Sequence, residues 1–467
     1  MHRRLLLLVA IVAVLGYAIQ RDIRFEKGYT SDLRNRVTGA RMTKDGRSPY
    51  FYKWKKGDGL RYYDPENFDS VRSSNMTSTP VLYRILSPLV EPPQATISAC
   101  WLVAEYLILA CLTLFALPRA GSGLQKQLVL LVCLLALLTN GWKEQVANGQ
   151  TYLFVPLFAM LFLVFWQKND HAAWAIAAGV SAACLVLIRV NTVLFFVPFL
   201  FMTRRHTRSW LFVFFIPVGL FAVWTLSTAH ERGLWRDYFQ NVTEATRLNQ
   251  SDAYVRQVNE PDPRFPRWEG IDTLESYRYM QAPPATIYSE NGNFFVFYQF
   301  FFHRKLPVAI LALLSLLLVA WLTVVFYRKH RDPDRHRAPD KHRDPDNPQM
   351  AAAVVFGFCL FMIPDLFSPI YRHQYYTVQW FLPLMIAAAN FSSRFSREYA
   401  LLLLGLLLNC FHLPFIKMEN SIGEYLMGIV LLRLALTSTW PEKPNPLQAR
   451  VSGDQSPHSS RQQSLPE

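Results

Sequence analysis

Residues 96–117 read TISACWLVAEYLILACLTLFAL, twenty-two positions with one ionisable side chain, Glu105. A helix of that length rises about 33 Å, enough to cross a hydrocarbon core of about 30 Å. Its apolar residues lie on every face, and a helix that is apolar all round belongs inside a large core or in lipid. Comparable runs recur at roughly 5–20, 127–140, 151–167, 171–188, 192–203, 209–228, 307–327, 350–370, 375–390, 398–416 and 420–437. In hydrocarbon only helices and closed barrels satisfy every backbone hydrogen bond. The expected fold class is therefore an all-α polytopic membrane protein with about twelve transmembrane helices (range 10–13). The 192–203 run is short for a span and is expected to close a hairpin with 171–188, broken at Arg189, Asn191 and Thr192. Phe294–Phe302 is shorter still and reads as an interfacial or re-entrant aromatic piece.

Composition agrees. Of 467 residues, 51% are hydrophobic and 18% charged, below the roughly 25% charged usual in soluble domains. A large water-soluble enzyme is excluded on that ground. The net charge of +14 would fit a nucleic-acid binder only if it formed a basic face on a soluble domain. Basic residues instead cluster at alternate turns: Arg3/Arg4, Arg119/Lys126, Lys168, Arg204/Arg205/Arg208, the 328–349 loop and Arg394/Arg397. The positive-inside rule puts these turns, and both termini, in the cytoplasm. Two long segments then face outward, 21–95 with net charge +5 and 229–306 with −1. Most of the positive charge is thus topology, and no nucleic-acid partner is expected. The +5 on the first outer loop is the part suited to an anionic lipid.

The expected organisation is a signal-anchor first span (1–20), an extracytoplasmic loop (21–95), a transmembrane core (96–228), a second extracytoplasmic segment (229–306), and C-terminal transmembrane helices (307–437) carrying a cytoplasmic linker at 328–349. Residues 438–467 read as a disordered cytoplasmic tail. The linker contains HRDPDR, HRAPDK and HRDPDN in succession between His330 and Asn347, and a proline in each copy forbids a helix. The six cysteines lie in or beside apolar runs with no CxxC, so they are expected to be small core hydrophobes rather than disulfides or metal ligands. Asn75-Met76-Thr77 and Asn241-Val242-Thr243 match the N-glycosylation pattern.

Once sidedness is set, five polar clusters share the outer face. Ser31 is expected to cap a surface helix in which Leu33, Val37 and Ala40 share one side, with Asp32 in its first turn beside Arg34, Arg36 and Arg41. A carboxylate there can deprotonate a hydroxyl, or simply cap the helix. Asp45-Gly46-Arg47-Ser48-Pro49-Tyr50 leads into an aromatic stretch that includes Trp54 and ends at Thr77-Ser78-Thr79-Pro80. Tyr50 and Trp54 have faces for a sugar ring, and tyrosine and tryptophan also anchor at interfaces. Trp142–Gln145 with Asn148-Gly149-Gln150 reads as a short polar turn before a span, with Asn148 and Gln150 as candidate sugar or acceptor contacts. Arg189 at membrane depth is expensive and fits a phosphate. Ser368–Tyr376 brings Arg372 and His373, which could meet a second phosphate oxygen or assist a leaving group.

Taken together, the early loop Asp, DGRSPY, TSTP, NGQ before a span, a basic residue closing the next hairpin, and SPIYRHQYY resemble the GT-C membrane glycosyltransferases. Within them the chain looks most like glycosyltransferase family 87, the polyprenyl-phosphate-mannose-dependent α-mannosyltransferases, over roughly residues 5–390. The resemblance implies an inverting hexosyltransferase working on the extracytoplasmic side, with a polyprenyl-phosphate-sugar donor and a lipid or glycan acceptor. It implies Asp32 as catalytic base. Arg189 matches a basic position usually held by lysine, and with Arg372 and His373 it would bind the donor phosphate. No cofactor is required, although Asp45 or another outer carboxylate could hold a divalent metal. The expected location is the bacterial inner (plasma) membrane. The first outer loop is longer and more aromatic than the family's usual one, and 229–306 is large.

Two other classes compete. A transporter or flippase would favour inverted repeats and mid-membrane charge. The halves show no internal repeat, and Glu105, Asp365, Glu424 and Arg433, the ionisable residues within spans, trace no path along the sequence. A non-catalytic scaffold using the outer loops for binding is the third.

Overall fold

The computed structural model describes residues 2–28, 31–54, 57, 59–62, 72–73, 78–168, 171–202, 207–250, 293–302, 304–330, 348–368, 372–411 and 419–437. The histidine-rich repeat, the tail from 438, most of the second outer segment (251–292) and Asn75–Thr77 lie outside these residues.

The described chain is helical but for one antiparallel pair of two-residue strands, β1 (Lys53–Trp54) and β2 (Arg72–Ser73). Helix α1 (His2–Gly28) continues eight residues past the expected first span and carries Asp22 into the interior, fully buried. Helix α2 (Ser31–Lys44) follows, then α3 (Pro80–Leu86), capped by Thr79 with proline at its first position. The apolar helices are α4 (Gln94–Ala116), α5 (Gly123–Leu138), α7 (Phe154–Gln167), α8 (Ala172–Ile188), α9 (Val197–Met202) and α10 (Thr207–Ser227). Between α5 and α7 stands α6 (Asn140–Asn148). The second half holds α11 (Ala229–Gln250), α12 (Phe294–Phe302), α13 (Val308–His330), α14 (Pro348–Leu366), α15 (Phe381–Ala389), α16 (Ser396–Leu408) and α17 (Glu419–Leu436).

Three of these are long and apolar enough to cross a membrane, and α5 with α6, bent by 55°, makes a fourth when counted as one span. Four more apolar stretches are shorter. Side-chain exposure is inverted relative to a soluble protein: Leu313, Leu316, Leu317 and Trp321 of α13, and Leu220 and Val223 of α10, all point outward. Apolar outer faces of this extent suit a membrane protein. The core is built on α14 and α15, with residues 352–362 and 381–389 buried at almost every position.

Two expected spans are broken. Residues 374–380 form a 3₁₀ helix that leads into α15. At about 2.0 and 1.5 Å per residue the pair rises about 28 Å, so the tighter coil lets sixteen residues reach nearly across. After α8, residues 190–196 are likewise 3₁₀ and pack against α14, and the expected break at Arg189–Thr192 is where α8 ends.

The turns fall at two ends. Arg119 donates to Gln167 at 3.0 Å, Gln125 to the Phe391 carbonyl at 2.8 Å, and Arg433 pairs with Glu398 at 3.1 Å. These are the turns with basic excess. At the other end Asn140 donates through its backbone to the Asn409 carbonyl (2.7 Å) and through its side chain to Asn420 (3.2 Å), and the outer polar clusters gather there.

The first and second outer segments touch one another. Arg84 pairs with Glu231, Ser48 donates to Asp237 at 2.8 Å, and Tyr50 lies on Tyr238. Asn241 is 2% exposed within α11, so the second glycosylation pattern is not presented at the surface. Among the cysteines Cys359 and Cys410 are buried, whereas Cys100 and Cys111 are exposed. The core reading is corrected for those two: they sit on outward faces of α4.

Candidate active site

Helix α2 is anchored by its apolar side. Leu33, Val37 and Ala40 are at most 2% exposed and pack with Tyr50, Leu82, Tyr83, Leu86 and Val90 in a small core of their own. This leaves the Asp32 and Arg36 side of the helix against the Asn148-Gly149-Gln150 corner. That corner is not the short polar turn expected from the sequence. It ends a nine-residue helix, α6, which Thr139 caps and Gly149 terminates in the left-handed conformation at φ +61°. The asparagine and glycine serve as the helix stop, a use of Gly at this position that is common.

Gly149 also allows contact. A Cβ there would lie 2.5 Å from the Leu33 Cβ. The approach brings Gln150 across to α2, where its Nε2 donates to the Asp32 carboxylate and its Oε1 accepts from Arg36 Nη2 at 2.5 Å. Arg36 Nη1 adds a bond to the Gly149 carbonyl at 3.2 Å. Arginine has only donors and an ionised carboxylate only acceptors, so these two partners fix which way the Gln150 amide faces.

Two residues on, Tyr152 opens an aromatic layer. It stands 5.2 Å from Tyr375 and 4.2 Å from Tyr376, and His373 stacks on Tyr375 at 5.0 Å. Asp32 and Arg36 are both within Coulombic reach of Tyr375. Arg189 faces two of these rings, its Cζ 4.7 Å from the centroids of Tyr152 and of Tyr376. Its Nη2 bonds Asp365 at 2.5 Å and its Nε bonds Asn191 at 3.2 Å, while Asn191 donates to the other Asp365 oxygen at 2.7 Å. The remaining nitrogen, Nη1, is buried and has no hydrogen-bond partner among the described residues. A guanidinium with a free donor beside an aromatic layer is a ready anion contact.

The other residues expected in the site fall as follows. Arg372 is 2% exposed; both its terminal nitrogens bond Glu424, which also accepts from Trp380 Nε1 at 2.6 Å. Its guanidinium faces the Tyr376 ring at 5.0 Å, the ring that Arg189 also faces, and its fork is occupied by a carboxylate. Tyr50 is not a sugar platform: it is 4% exposed, flanked by Tyr83 and Tyr238, and donates to the Ser78 carbonyl at 2.7 Å. Burial pushes its phenol well above the ordinary tyrosine range. Asn148 bonds Glu144 of its own helix at 2.9 Å. Trp54 lies in β1, away from α6 in the chain, and its side chain is outside the described residues. Asp45 accepts from Arg61 at 2.6 Å and Tyr62 at 2.7 Å, and these bonds hold its carboxyl below the usual range. Among the described residues no group of three or more His, Cys, Asp or Glu is arranged to hold a metal ion.

The structure therefore brings together Asp32, Gln150, Arg189, Arg372 and His373, from segments as far apart as α2 and the 372–376 stretch, and holds Tyr50 in the small core beside α2. Sequence reasoning named Arg36, Asn191, Asp365, Tyr376 and Glu424 without giving them a place in the site, and passed over Tyr152. The usable signal was cost: a carboxylate inside an apolar run calls for a cation partner, and Asp365 and Glu424 find theirs in Arg189 and Arg372. Thr79 of TSTP also joins this end, its hydroxyl donating to the Leu187 carbonyl at 3.0 Å.

Residues 78–263 match the family model of glycosyltransferase family 87, as the resemblance in the motifs implied. The matched segment holds Thr79, the 148–150 corner and Arg189; Asp32, Asp365 and the 372–376 stretch lie outside it. No curated protein and no solved structure matches the chain.

Proposed function

We propose that this chain, a membrane glycosyltransferase of family 87, transfers a hexose, mannose by family resemblance, from a polyprenyl-phosphate donor to a hydroxyl of a lipid or glycan acceptor on the extracytoplasmic side. The observation that carries the reading is the pairing of a carboxylate steadied by a neutral amide with an arginine that keeps one free donor, on either side of the Tyr152 layer.

In this scheme the donor's lipid lies against the apolar outer faces and its head enters between Asp32 and Arg189. Asp32 takes the proton of the acceptor hydroxyl. The acceptor oxygen forms the new bond to the anomeric carbon from the side opposite the phosphate, so configuration inverts. The bond from carbon to phosphate oxygen breaks, and its electron pair leaves with polyprenyl phosphate. Arg189 Nη1 meets the charge that builds on the departing phosphate, and His373 stands beside it to hydrogen-bond or protonate a phosphate oxygen. Arg372 holds Tyr376 and Glu424 behind that contact. Tyr152, Tyr375 and Tyr376 offer faces to the sugar ring. The scheme calls on no metal, which a chelator series would check. With the basic turns in the cytoplasm, both termini lie inside and the site faces out, in a bacterial inner membrane.

The test is transfer of label from polyprenyl-phosphate-mannose, with the glucose donor in parallel, by membranes containing the protein. Asp32→Asn should abolish transfer while insertion and yield stay normal. Retained transfer by that variant would remove the mechanism.

A further inference from the structure

Two buried polar side chains behind the site have no part in the transfer just described. Gln145 is fully buried on α6, and Glu105 is 3% exposed in the middle of α4. A carboxylate at that depth is costly and asks for a reason. Gln145 Nε2 has two hydrogens and two acceptors: Glu105 Oε1 at 2.8 Å and the backbone carbonyl of Gln150 at 2.5 Å. The backbone N–H of Gln150 in turn donates to the Gln145 carbonyl at 2.9 Å. Both backbone polar groups of Gln150 are thus held by one residue. The Gln150 side chain, set by that backbone, is the group that touches Asp32 and Arg36.

A continuous line of hydrogen bonds therefore runs from Glu105 on α4, through Gln145 on α6, to Gln150 and Asp32 on α2. Its direction is forced chemically. The Gln150 backbone carbonyl can only accept, so Nε2 rather than Oε1 must face it, and Glu105 Oε1 takes the second hydrogen of the same nitrogen. With the amide turned over, two carbonyl oxygens would oppose each other and the corner could not keep its place. Asp22 stands near the same cluster but is taken up by Tyr106 (2.8 Å), Trp142 (2.7 Å) and Arg21 (2.7 Å), so it does not compete for Gln145.

We propose that Gln145 and Glu105 are positioning residues for Asp32, holding the Gln150 amide against its carboxylate. The proposal rests on the reading of Asp32 as base. Gln145→Met and Glu105→Met keep the volume and remove the line. Both should lower kcat per folded enzyme about tenfold, with the donor KM within about twofold, since a displacement of a fraction of an ångström acts on the reacting geometry rather than on binding. Glu105→Gln keeps an acceptor oxygen for Gln145 and should restore kcat to within about threefold of wild type. A purely structural role would lower melting temperature and yield and leave kcat per folded enzyme unchanged. Should the methionine variants fail to insert, Gln145→Asn, polar but one carbon short, reads the same division between kcat and KM.

Wild-type kcat in the methionine variants, or equal slowing by Glu105→Gln and Glu105→Met, would overturn the proposal. Asp32→Asn run alongside separates the two failures. If it transfers at the wild-type rate, the base assignment falls and the positioning role with it. If it is inactive while the methionine variants keep full kcat, only the positioning role falls.

Discussion

Replacing Gly149 with alanine tests the central contact with the fewest atoms. Gly149 lies at φ +61° and the added Cβ would meet the Leu33 Cβ at 2.5 Å. Carbon atoms sit at about 3.5–4.0 Å in ordinary contact, so α2 and the corner must part by about 1 Å. The obstacle is a Cβ on a helix, not the swinging end of a long chain, and Leu33 is held by a packed core. The left-handed conformation adds about 1–2 kcal/mol of strain, which should lower the melting temperature. The larger effect is chemical. A 1 Å misplacement of a reacting group costs about 10²-fold in rate, or about 2.7 kcal/mol of activation free energy. The assay is single-turnover transfer from labelled polyprenyl-phosphate-mannose, normalised to folded protein by size-exclusion in detergent. Gly149→Asn is the control: asparagine tolerates positive φ better than other residues but brings the same Cβ, so it should be as slow as alanine. If either variant transfers within threefold of wild type, Asp32 does not depend on the corner, and the geometry built on Gln150 is not the catalytic one.

Arg189→Gln should lower kcat by about 10²–10³ with the donor KM little changed, as expected for a contact to charge developing in the transition state; a rise in KM alone would make Arg189 a ground-state binder. Tyr50→Phe should cost about 1–2 kcal/mol through the unpaired Ser78 carbonyl and leave transfer unchanged; a tenfold loss of activity without a change in melting temperature would put Tyr50 against the sugar after all. The Arg61 clamp on the first outer loop has a defined pH window. Its hydrogen bonds hold the Glu91 carboxyl down at about 2, and Asp45 is lowered likewise. Folded values depressed below unfolded ones mean that the clamp's stabilisation is complete above the ordinary carboxylate range and is lost only as pH falls through the depressed values. Exchange protection of residues 59–62 should therefore differ between wild type and Arg61→Ala by the same factor from about pH 7 to about pH 5, and the difference should shrink below about pH 4.

The helical, apolar part of the fold class was legible because lipid makes a simple demand, which runs of about twenty apolar residues satisfy only as helices. Among the described residues three helices, or four with the bent pair, meet that length, against the twelve expected. The surface helix at 31–44 was legible from the spacing of Leu33, Val37 and Ala40, and the chain break after α8 from Arg189 and Asn191 in apolar surroundings. What periodicity could not give were elements whose identity depends on their partners. Residues 140–148 look like a polar turn because the Trp142, Gln145 and Val146 side faces protein that is not adjacent in sequence. The 3₁₀ stretch at 374–380 has no pattern of its own, and its shape follows from packing on α6 and α15. The same holds for the site. Arg189, Asp32 and His373 announce themselves as costly or exposed groups, whereas their companions depend on pairings across 176 residues (Arg189 to Asp365) and 118 residues (Gln150 to Asp32). Tyr50 misled because an aromatic in a polar loop has the same composition whether it faces a sugar or a small core.

The balance of charge at this end of the molecule bears on why the arginines are paired. Arg189 has Asp365, Arg372 has Glu424, and Arg36 meets Asp32 through Gln150. A site of three free arginines would bind any phosphate tightly, product included. Pairing removes most of that uniform attraction, which would lower KM without raising kcat. What remains is selective for the reaction. The proposed donor is a phosphodiester with one negative charge, and the polyprenyl phosphate it would release is a monoester carrying about −1.5 to −2 at neutral pH. In the proposed mechanism the extra charge originates on Asp32, which becomes neutral on taking the proton. Transfer by the proposed scheme would move one negative charge across the Tyr152 layer, from the Gln150 side to the Arg189 side. A donor already fixed at Arg189 Nη1, with its other nitrogens held by Asp365 and Asn191, gains from that movement without reorganising. Neutral rings between the two ends leave the charge nothing else to pair with on the way, which favours a concerted displacement over a separated ion pair.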